Sequence, residues 1–261
     1  LSAGSAIDSA RLMCVHAVRG GVGGSTIAAA VARAVSHAHG KRTFLIDLDL
    51  GYGTQHLNFG TDETKGLVDM CDNPSRIDAL FMDRSLERPS DNLMLLSARR
   101  DEGGGDVASE TLKEIVIQAQ RAADMVILDL PFRAPVGRQM LAQSGCNVLV
   151  TTPTIPGVRD TASLLSWLEK MNYGGQTLVA LNQVGQFRDG EVARTDFAKR
   201  LGNQIKVFDV PFDPRAAGRA MVNDRTLFAA TGRIARNLNA LYAALPTAPS
   251  GDKKKKGGLR R

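Results

Sequence analysis

Hydrophobic and polar positions alternate between two patterns along the whole chain. Short, continuous apolar runs rich in β-branched residues cover residues 12–18, 43–49, 93–97, 125–129, 147–152, 177–182 and 205–208. Runs of that length and composition predict strands buried on both faces. Between them, apolar residues recur at helical spacing over 25–39, 77–83, 108–123, 138–144, 158–171 and 191–201, and again over 214–222 and 232–244. Strands alternating with helices predict an α/β fold, a doubly wound and mostly parallel sheet of about seven to eight strands with helices on both faces. There is no internal repeat, and no linker long enough to divide the chain. The reading is a linker over 1–10, one domain over 11–245, and a Pro-, Gly- and Lys-rich segment over 246–261 with the composition of a disordered basic tail. Gly103–Gly105 reads as a flexible surface loop. The chain begins with Leu1 rather than Met, which we take as the mark of a fragment that lacks an upstream domain.

Composition changes this picture only at the edges. With 43% hydrophobic and 23% charged residues the chain has an ordinary globular make-up. No apolar run is long enough to span a bilayer, and the first ten residues have no basic stretch of a secretory signal. The formal charge of +6 is a property of one end: residues 252–261 carry six basic residues and one acid. Without them 27 basic residues face 26 acidic ones, so composition does not demand a nucleic-acid-binding face. Cys14, Cys71 and Cys146 are far apart and odd in number, which argues against a disulfide framework and for a reducing, cytoplasmic setting. Cys14 and Cys146 adjoin apolar runs and read as small core residues. His37 and His39 mark a helix end, and the histidines form no metal motif.

The segment most informative about chemistry is the loop between the first strand and the first helix, Arg19-Gly20-Gly21-Val22-Gly23-Gly24-Ser25-Thr26. Glycines let backbone N–H groups converge on an anion, and the following helix directs its positive end at the same point. Ser25 stands where a hydroxyl ligates Mg²⁺ beside the phosphates. A tight strand-to-helix turn without a ligand is the alternative. Against the motif G-x-x-x-x-G-K-[ST] the loop departs twice: Val18 takes the first glycine's place, and Gly24 the lysine's. Losing the lysine removes a charge-assisted hydrogen bond of about 1.5–3 kcal/mol, roughly 10- to 150-fold in affinity. Hydrolysis suffers more than binding, because the lysine also neutralises charge that develops in the transition state.

These residues resemble the ParA/MinD family of P-loop ATPases, whose loop reads K-G-G-V-G-K-[ST]-T. The present loop matches at five of eight positions, with Arg19 and Gly24 at the two lysine sites. The resemblance implies that Arg19 reaches a partner's phosphates across an ATP-sandwiched dimer. Asp47-Leu48-Asp49-Leu50-Gly51 resembles the family's D-x-D-x-G segment, which gives Asp49 the role of orienting the attacking water or sensing the γ-phosphate; capping of a loop by both acids is the alternative. Asp129, closing an apolar strand before Leu130-Pro131, is similar to the family's Walker B aspartate and would join Ser25 and Asp49 in the Mg²⁺ shell, partly through water. A solvated aspartate at the start of a loop is the other reading. Thr152-Pro153 and Val158-Arg159-Asp160 look like the family's T-x-P…V-R-D segment at the dimer face, although a plain helix start is equally compatible. Asn182 matches the adenine-reading asparagine, and Pro211 and Asp213 lie in a segment similar to the loop that covers the base, though an asparagine at a strand end is commonly a turn residue.

The missing second lysine and the segment Ser75–Phe81 resemble the atypical TadZ/CpaE branch, which positions pilus-assembly machinery at cell poles. That likeness implies an ATP- and Mg²⁺-binding localisation factor with weak or absent hydrolysis. It further implies a nucleotide-dependent homodimer, pilus or secretion proteins as partners, and a receiver-like domain upstream. Its place would be cytoplasmic, or peripheral at the inner membrane or cell pole. Lys253, Lys254, Lys255 and Lys256 could attract an anionic membrane, but Gly257-Gly258 and a single leucine cannot build an apolar helix face, so a solvated tail is the competing reading. Two other functions stay open: an active partition-type ATPase that binds DNA, which Gly24 and the near-neutral body weigh against, and an interaction scaffold with a vestigial site.

Overall fold

The structure, a computed structural model, describes residues 6–97, 105–202, 204–222, 227 and 232–246. Eight strands form one sheet in the order β3-β4-β2-β5-β1-β6-β7-β8. They are β1 (Leu12–Ala17), β2 (Thr43–Asp47), β3 (Glu87–Ser90), β4 (Leu93–Leu96), β5 (Met125–Leu130), β6 (Cys146–Thr151), β7 (Gln176–Val184) and β8 (Lys206–Pro211). Every neighbouring pair is parallel except β3 with β4. The helices among the described residues are α1 (Gly24–Ala38), α2 (Gln55–Phe59), α3 (Gly66–Asp72), α4 (Ala79–Arg84), α5 (Ser109–Ala122), α6 (Gly137–Gln143), α7 (Ile155–Lys170), α8 (Arg194–Leu201), α9 (Pro214–Val222) and α10 (Gly232–Ala244). No helix among the described residues is long and apolar enough to cross a membrane.

The sheet is buried on both sides, which is why its strands read as continuous apolar runs. Along β1, Leu12 and Cys14 point into one apolar layer with Phe44, Leu112, Leu128 and Phe197. Met13 and Val15 point into the other, with Ile27, Val31, Ile127, Leu238 and Leu241. The alanines of α1 (Ala28, Ala29, Ala30, Ala32 and Ala34) are all buried in that second layer. Their small size lets this helix lie close to the strands it follows. Cys14 and Cys146 are buried core thiols. The helix ends at Ala38, with Gly40 just beyond it in the left-handed region (φ +58°), the position that favours glycine after a helix.

Several boundaries differ from the sequence expectation. Strand β2 stops at Asp47 instead of continuing to Asp49, because the Asp47 carboxylate accepts the Asp49 N–H at 3.1 Å and turns the chain. Strand β7 runs two residues past Asn182 through a register irregularity. Strand β3 is polar and contains Pro89, so periodicity gave no sign of it. It is tolerated because it lies at the sheet's edge, where a missing N–H leaves no ladder bond broken. The short helices α2 and α3 were likewise not expected. Residues 1–5, Gly103 and Gly104 of the glycine run, and the segment from 247 onward with Lys253–Lys256, lie outside the described residues.

The antiparallel edge is fixed by one buried carboxylate. Glu87 accepts hydrogen bonds from Thr61 Oγ1 (2.7 Å), Thr64 Oγ1 (2.9 Å) and Ser97 Oγ (3.1 Å), tying the loop after α2 to β3 and β4. Glu87→Ala removes the acceptor shared by the three hydroxyls, of which Thr61 and Thr64 keep the carbonyls of His56 and Ser97 as second acceptors. We expect a loss of about 1–3 kcal/mol, read as a lower urea midpoint in equilibrium unfolding.

Candidate nucleotide site

The carboxyl ends of β1, β2 and β5 converge at one rim of the sheet, the place where open α/β sheets bind ligands. From β1 the chain enters the glycine loop. Val18, in the place of the motif's first glycine, turns its side chain into the core and donates its N–H to the Val150 carbonyl at 2.9 Å. Gly21 and Gly23 then take positive φ values of 78° and 86°. These angles make a concave run of N–H groups, and among the described residues no carbonyl accepts those of Gly20 to Gly24. A methyl added at Gly20 or Gly21 meets only open space. The loop borders a cavity of about 370 Å³ lined also by Thr152, Thr154, Pro156, Gln183 and Phe187. An anion cradle at the start of α1 is therefore built.

Gly24 explains how the loop exists without its lysine. It is the first residue of α1, and an added Cβ would lie 2.7 Å from Ala17 Cβ. In this conformation the helix start rests directly on the end of β1, and no side chain fits between. The opposite side of the loop is braced by β7. Asn182 Nδ2 donates to the Val22 carbonyl at 2.8 Å, and Gln183, in the left-handed region at φ +62°, donates from Nε2 to the Gly21 carbonyl at 3.1 Å. Asn182 thus reaches the phosphate loop, where its amide supports the loop's backbone. Pro211 closes β8, and Asp213 accepts the Ala216 N–H at 2.8 Å at the start of α9.

Arg19 forms an ion pair with Asp160 of α7, and Asp160 also accepts from Arg159 Nε at 2.8 Å. The Arg159 hydrogen bond first, and Arg19 second, hold the Asp160 carboxyl below the usual carboxylate range. Arg19 is therefore engaged within its own chain, on the helix that carries the V-R-D segment.

Facing the loop are the carboxylates of Asp47 and Asp129, register partners on β2 and β5. Asp47 accepts the N–H groups of Asp49 (3.1 Å) and Gln55 (3.1 Å). Asp129 accepts Gln55 Nε2 at 2.7 Å, and the Ser25 hydroxyl is near enough to lower its pKa. Burial, and then the charge of Asp129, push Asp47 well above the ordinary carboxylate range against its two N–H bonds. Burial lifts Asp129 to about 6; the Gln55 amide and the Ser25 hydroxyl pull it down, and Asp49 pushes it up. Asp49 itself is half-buried and accepts the N–H groups of Gly51 (3.2 Å) and Tyr52 (2.9 Å), capping its own turn. Trp167 is half-buried against the core, with the Arg138 guanidinium 5.3 Å from its ring.

The donor set fits a divalent cation that arrives with phosphate. Among the described residues no group of three or more His, Cys, Asp or Glu side chains could cage a metal alone. Mg²⁺ in phosphate sites uses one or two carboxylates and fills its shell with phosphate and water. Ser25 and Asp129, next to the N–H cradle, supply that kind of partial shell. Sequence reasoning found Ser25 and Asp129 but missed Gln55 and Gln183. Neither glutamine lies in a motif, and each acts on residues far from it in the chain.

Fold and loop together are those of a P-loop domain with a doubly wound sheet. Its fold is similar to that of MinD and ParA proteins. The structure superposes on a ParA family ATPase from Chlorobium tepidum with a TM-score of 0.76 at 20% identity, covering 89% of this chain and 97% of that one. On MinD from Pyrococcus horikoshii complexed with Mg-ADP the TM-score is 0.67 at 18% identity, with 89% and 94% covered. In sequence the chain is 30% identical over 173 residues to the septum site-determining protein MinD of a Synechocystis species. That match covers 65% of this chain, and the chain spans 63% of that relative's length. The family model for the cellulose biosynthesis protein BcsQ matches residues 10–67, from the start of β1 to the start of α3.

Two expectations follow from the site. Because Asp47 and Asp129 keep protons that the unfolded chain has already lost, the contribution of these two carboxyls to folding stability without ligand is fully present only below the ordinary carboxylate range, while buried His16, lowered to about 4, acts in the opposite sense. The carboxyl contribution declines as pH rises through about 6. Asp129→Asn removes its share of that decline. Urea midpoints from pH 5 to pH 8 should show the variant gaining on the parent as pH rises. Separately, Gly24→Lys alone should lower the melting temperature through overlap with Ala17. With Ala17→Gly added to make room, ATP affinity should rise by about tenfold, measured with fluorescent ATP.

Proposed function

We propose that this chain is an ATP-binding localisation factor that dimerises around nucleotide and turns it over slowly or not at all. The observation that carries this reading is the combination at one rim: an intact N–H cradle with Ser25 and Asp129 beside it, and no lysine at Gly24. Such a site keeps the groups that bind phosphate and cation. It lacks the cation that neutralises charge in the transition state. The Mg-ADP in the Pyrococcus horikoshii MinD structure supports the choice of ligand.

Dimerisation is supported by exposed apolar side chains near the site. Tyr52 and Ile155 are 81% and 75% exposed, and Phe132 and Phe187 are exposed as well. All four stand on segments that border the site. A second copy facing the first across the nucleotide would cover them. Arg19 would then exchange Asp160 for the partner's phosphates, in keeping with its place in the loop. We assign the chain to the TadZ/CpaE-like branch on the loop's missing lysine and the Ser75–Phe81 segment. Its partners are then pilus or secretion assembly proteins, and its place is the cytoplasm or the inner face of the membrane. The Synechocystis relative, named for septum-site determination, supports a role in placement within the cell.

The test is a titration with fluorescent ATP in Mg²⁺ and in EDTA, followed by light scattering. We expect micromolar, Mg²⁺-strengthened binding, a monomer without nucleotide and a dimer with ATP. Phosphate release should be about 100-fold or more below that of a lysine-bearing P-loop ATPase, and indifferent to DNA. No binding at millimolar ATP reduces the site to a relic, and strong stimulation by DNA transfers the chain to the partition class.

A further inference from the structure

Gln55 opens α2 and is fully buried, which is unusual for a side chain with four hydrogen-bonding positions. Each of its polar groups reaches a different part of the site. Its main-chain N–H donates to Asp47 Oδ2 at 3.1 Å. Its side-chain amide donates from Nε2 to Asp129 Oδ2 at 2.7 Å and to the Ser25 main-chain carbonyl at 2.9 Å. Oε1 accepts from Asn58 Nδ2 at 3.2 Å. Both protons of the amide are thus spent on a single link between the end of β5 and the first turn of α1. A divalent cation held by Ser25 and Asp129 would join the same two elements.

A carboxylate this deep needs compensation from a proton, from hydrogen-bond donors or from a cation. Gln55 supplies neutral donors from within the chain. We propose that the Gln55 amide is a built-in surrogate for the divalent cation: it ties Asp129 to the start of α1 when no cation is bound, and it competes with the cation for that carboxylate. Gln55 is on this view a positioning residue that sets how strongly nucleotide binding depends on Mg²⁺. The inference rests on the nucleotide-binding reading above for its effect on ligand affinity, but not for its effect on the protein alone.

Two variants of the full chain separate this role from ordinary packing. Gln55→Glu keeps the shape and turns the two donor positions into a carboxylate facing Asp129. Gln55→Leu removes the donors without adding charge. Thermal unfolding is recorded in EDTA and in MgCl₂ without nucleotide, and fluorescent ATP is titrated in both buffers. Mg²⁺ alone should leave the parent's melting temperature nearly unchanged. In EDTA Gln55→Glu should melt lower than the parent, and Mg²⁺ should recover most of the loss. For Gln55→Leu the ratio of Kd in EDTA to Kd in Mg²⁺ should exceed the parent's by about tenfold, the low end for one hydrogen bond to a charged group. The proposal is overturned if both variants respond to Mg²⁺ as the parent does, with lower melting temperatures that Mg²⁺ fails to restore; Gln55 is then a packing residue. If Gln55→Glu does not fold, the Gln55→Leu ratio decides. If the parent binds no nucleotide in either buffer, the proposed function fails, and the melting experiment still decides the role of Gln55.

Discussion

Two carboxyl groups buried side by side at the ends of neighbouring parallel strands impose the constraint around which this molecule is arranged. Asp47 and Asp129 are in register, away from water, and the charge of Asp129 raises the cost of ionising Asp47. Neither can stay in such a place without donors. Strand β2 therefore ends where it does, since the N–H groups that compensate Asp47 come from Asp49 and Gln55. Supplying both from the same strand end requires the chain to double back within eight residues, and that turn, through Gly51 and Gly53, is what brings the Gln55 side chain to Asp129. The short helix α2 exists as the anchor of this arrangement and has little apolar periodicity of its own.

The glycine loop shows a second constraint, one of space. In a loop with a lysine, room must exist for that side chain beside the end of β1. Here Gly24 and Ala17 have closed on each other, and Val18 has been drawn into the core in place of a glycine. Both departures from the motif therefore act in one direction, packing the loop down onto the sheet. The N–H cradle survives because it depends on backbone angles at Gly21 and Gly23, which neither departure touches. Bracing by Asn182 and Gln183 on the loop's carbonyls fixes the same angles from the far side. What changes is the electrostatics: the only arginine of the loop is held by Asp160, outside the cradle.

How much of this was legible in the sequence follows from what kind of interaction carries each part. Strands β1, β2, β4, β5, β6 and β7 were read because burial on both faces writes itself into contiguous residues, β8 was read with shifted bounds, and α9 and α10 matched to the residue. Strand β3 was invisible: it is polar, carries Pro89, and is held by Glu87 through contacts with Thr61, Thr64 and Ser97. The cradle and Ser25 were readable from local spacing, and Asp129 from the apolar strand that delivers it. Asp47 was quoted only as part of a pattern whose weight fell on Asp49, yet it is Asp47 that is buried, while Asp49 caps a turn. Gln55 carried no signal at all. Its bonds span 30 and 74 residues, and only the closed sheet brings those partners together.

These features bear on one another energetically. Without ligand the rim keeps buried carboxyls whose ionisation is disfavoured, beside loop N–H groups that no backbone carbonyl accepts among the described residues. Any ligand that brings a cation to Asp129 and phosphate oxygens to the cradle relieves both defects at once. A ligand that binds only the folded state stabilises it by mass action, and here the gain concentrates where the free protein is least satisfied. A lysine in the loop would already meet part of that need from within the chain. With glycine in its place that charge is absent from the loop, and Asp129 keeps the amide of Gln55 as a neutral donor. On the proposed reading, the missing lysine makes the site lean more heavily on its ligands than a lysine-bearing loop would.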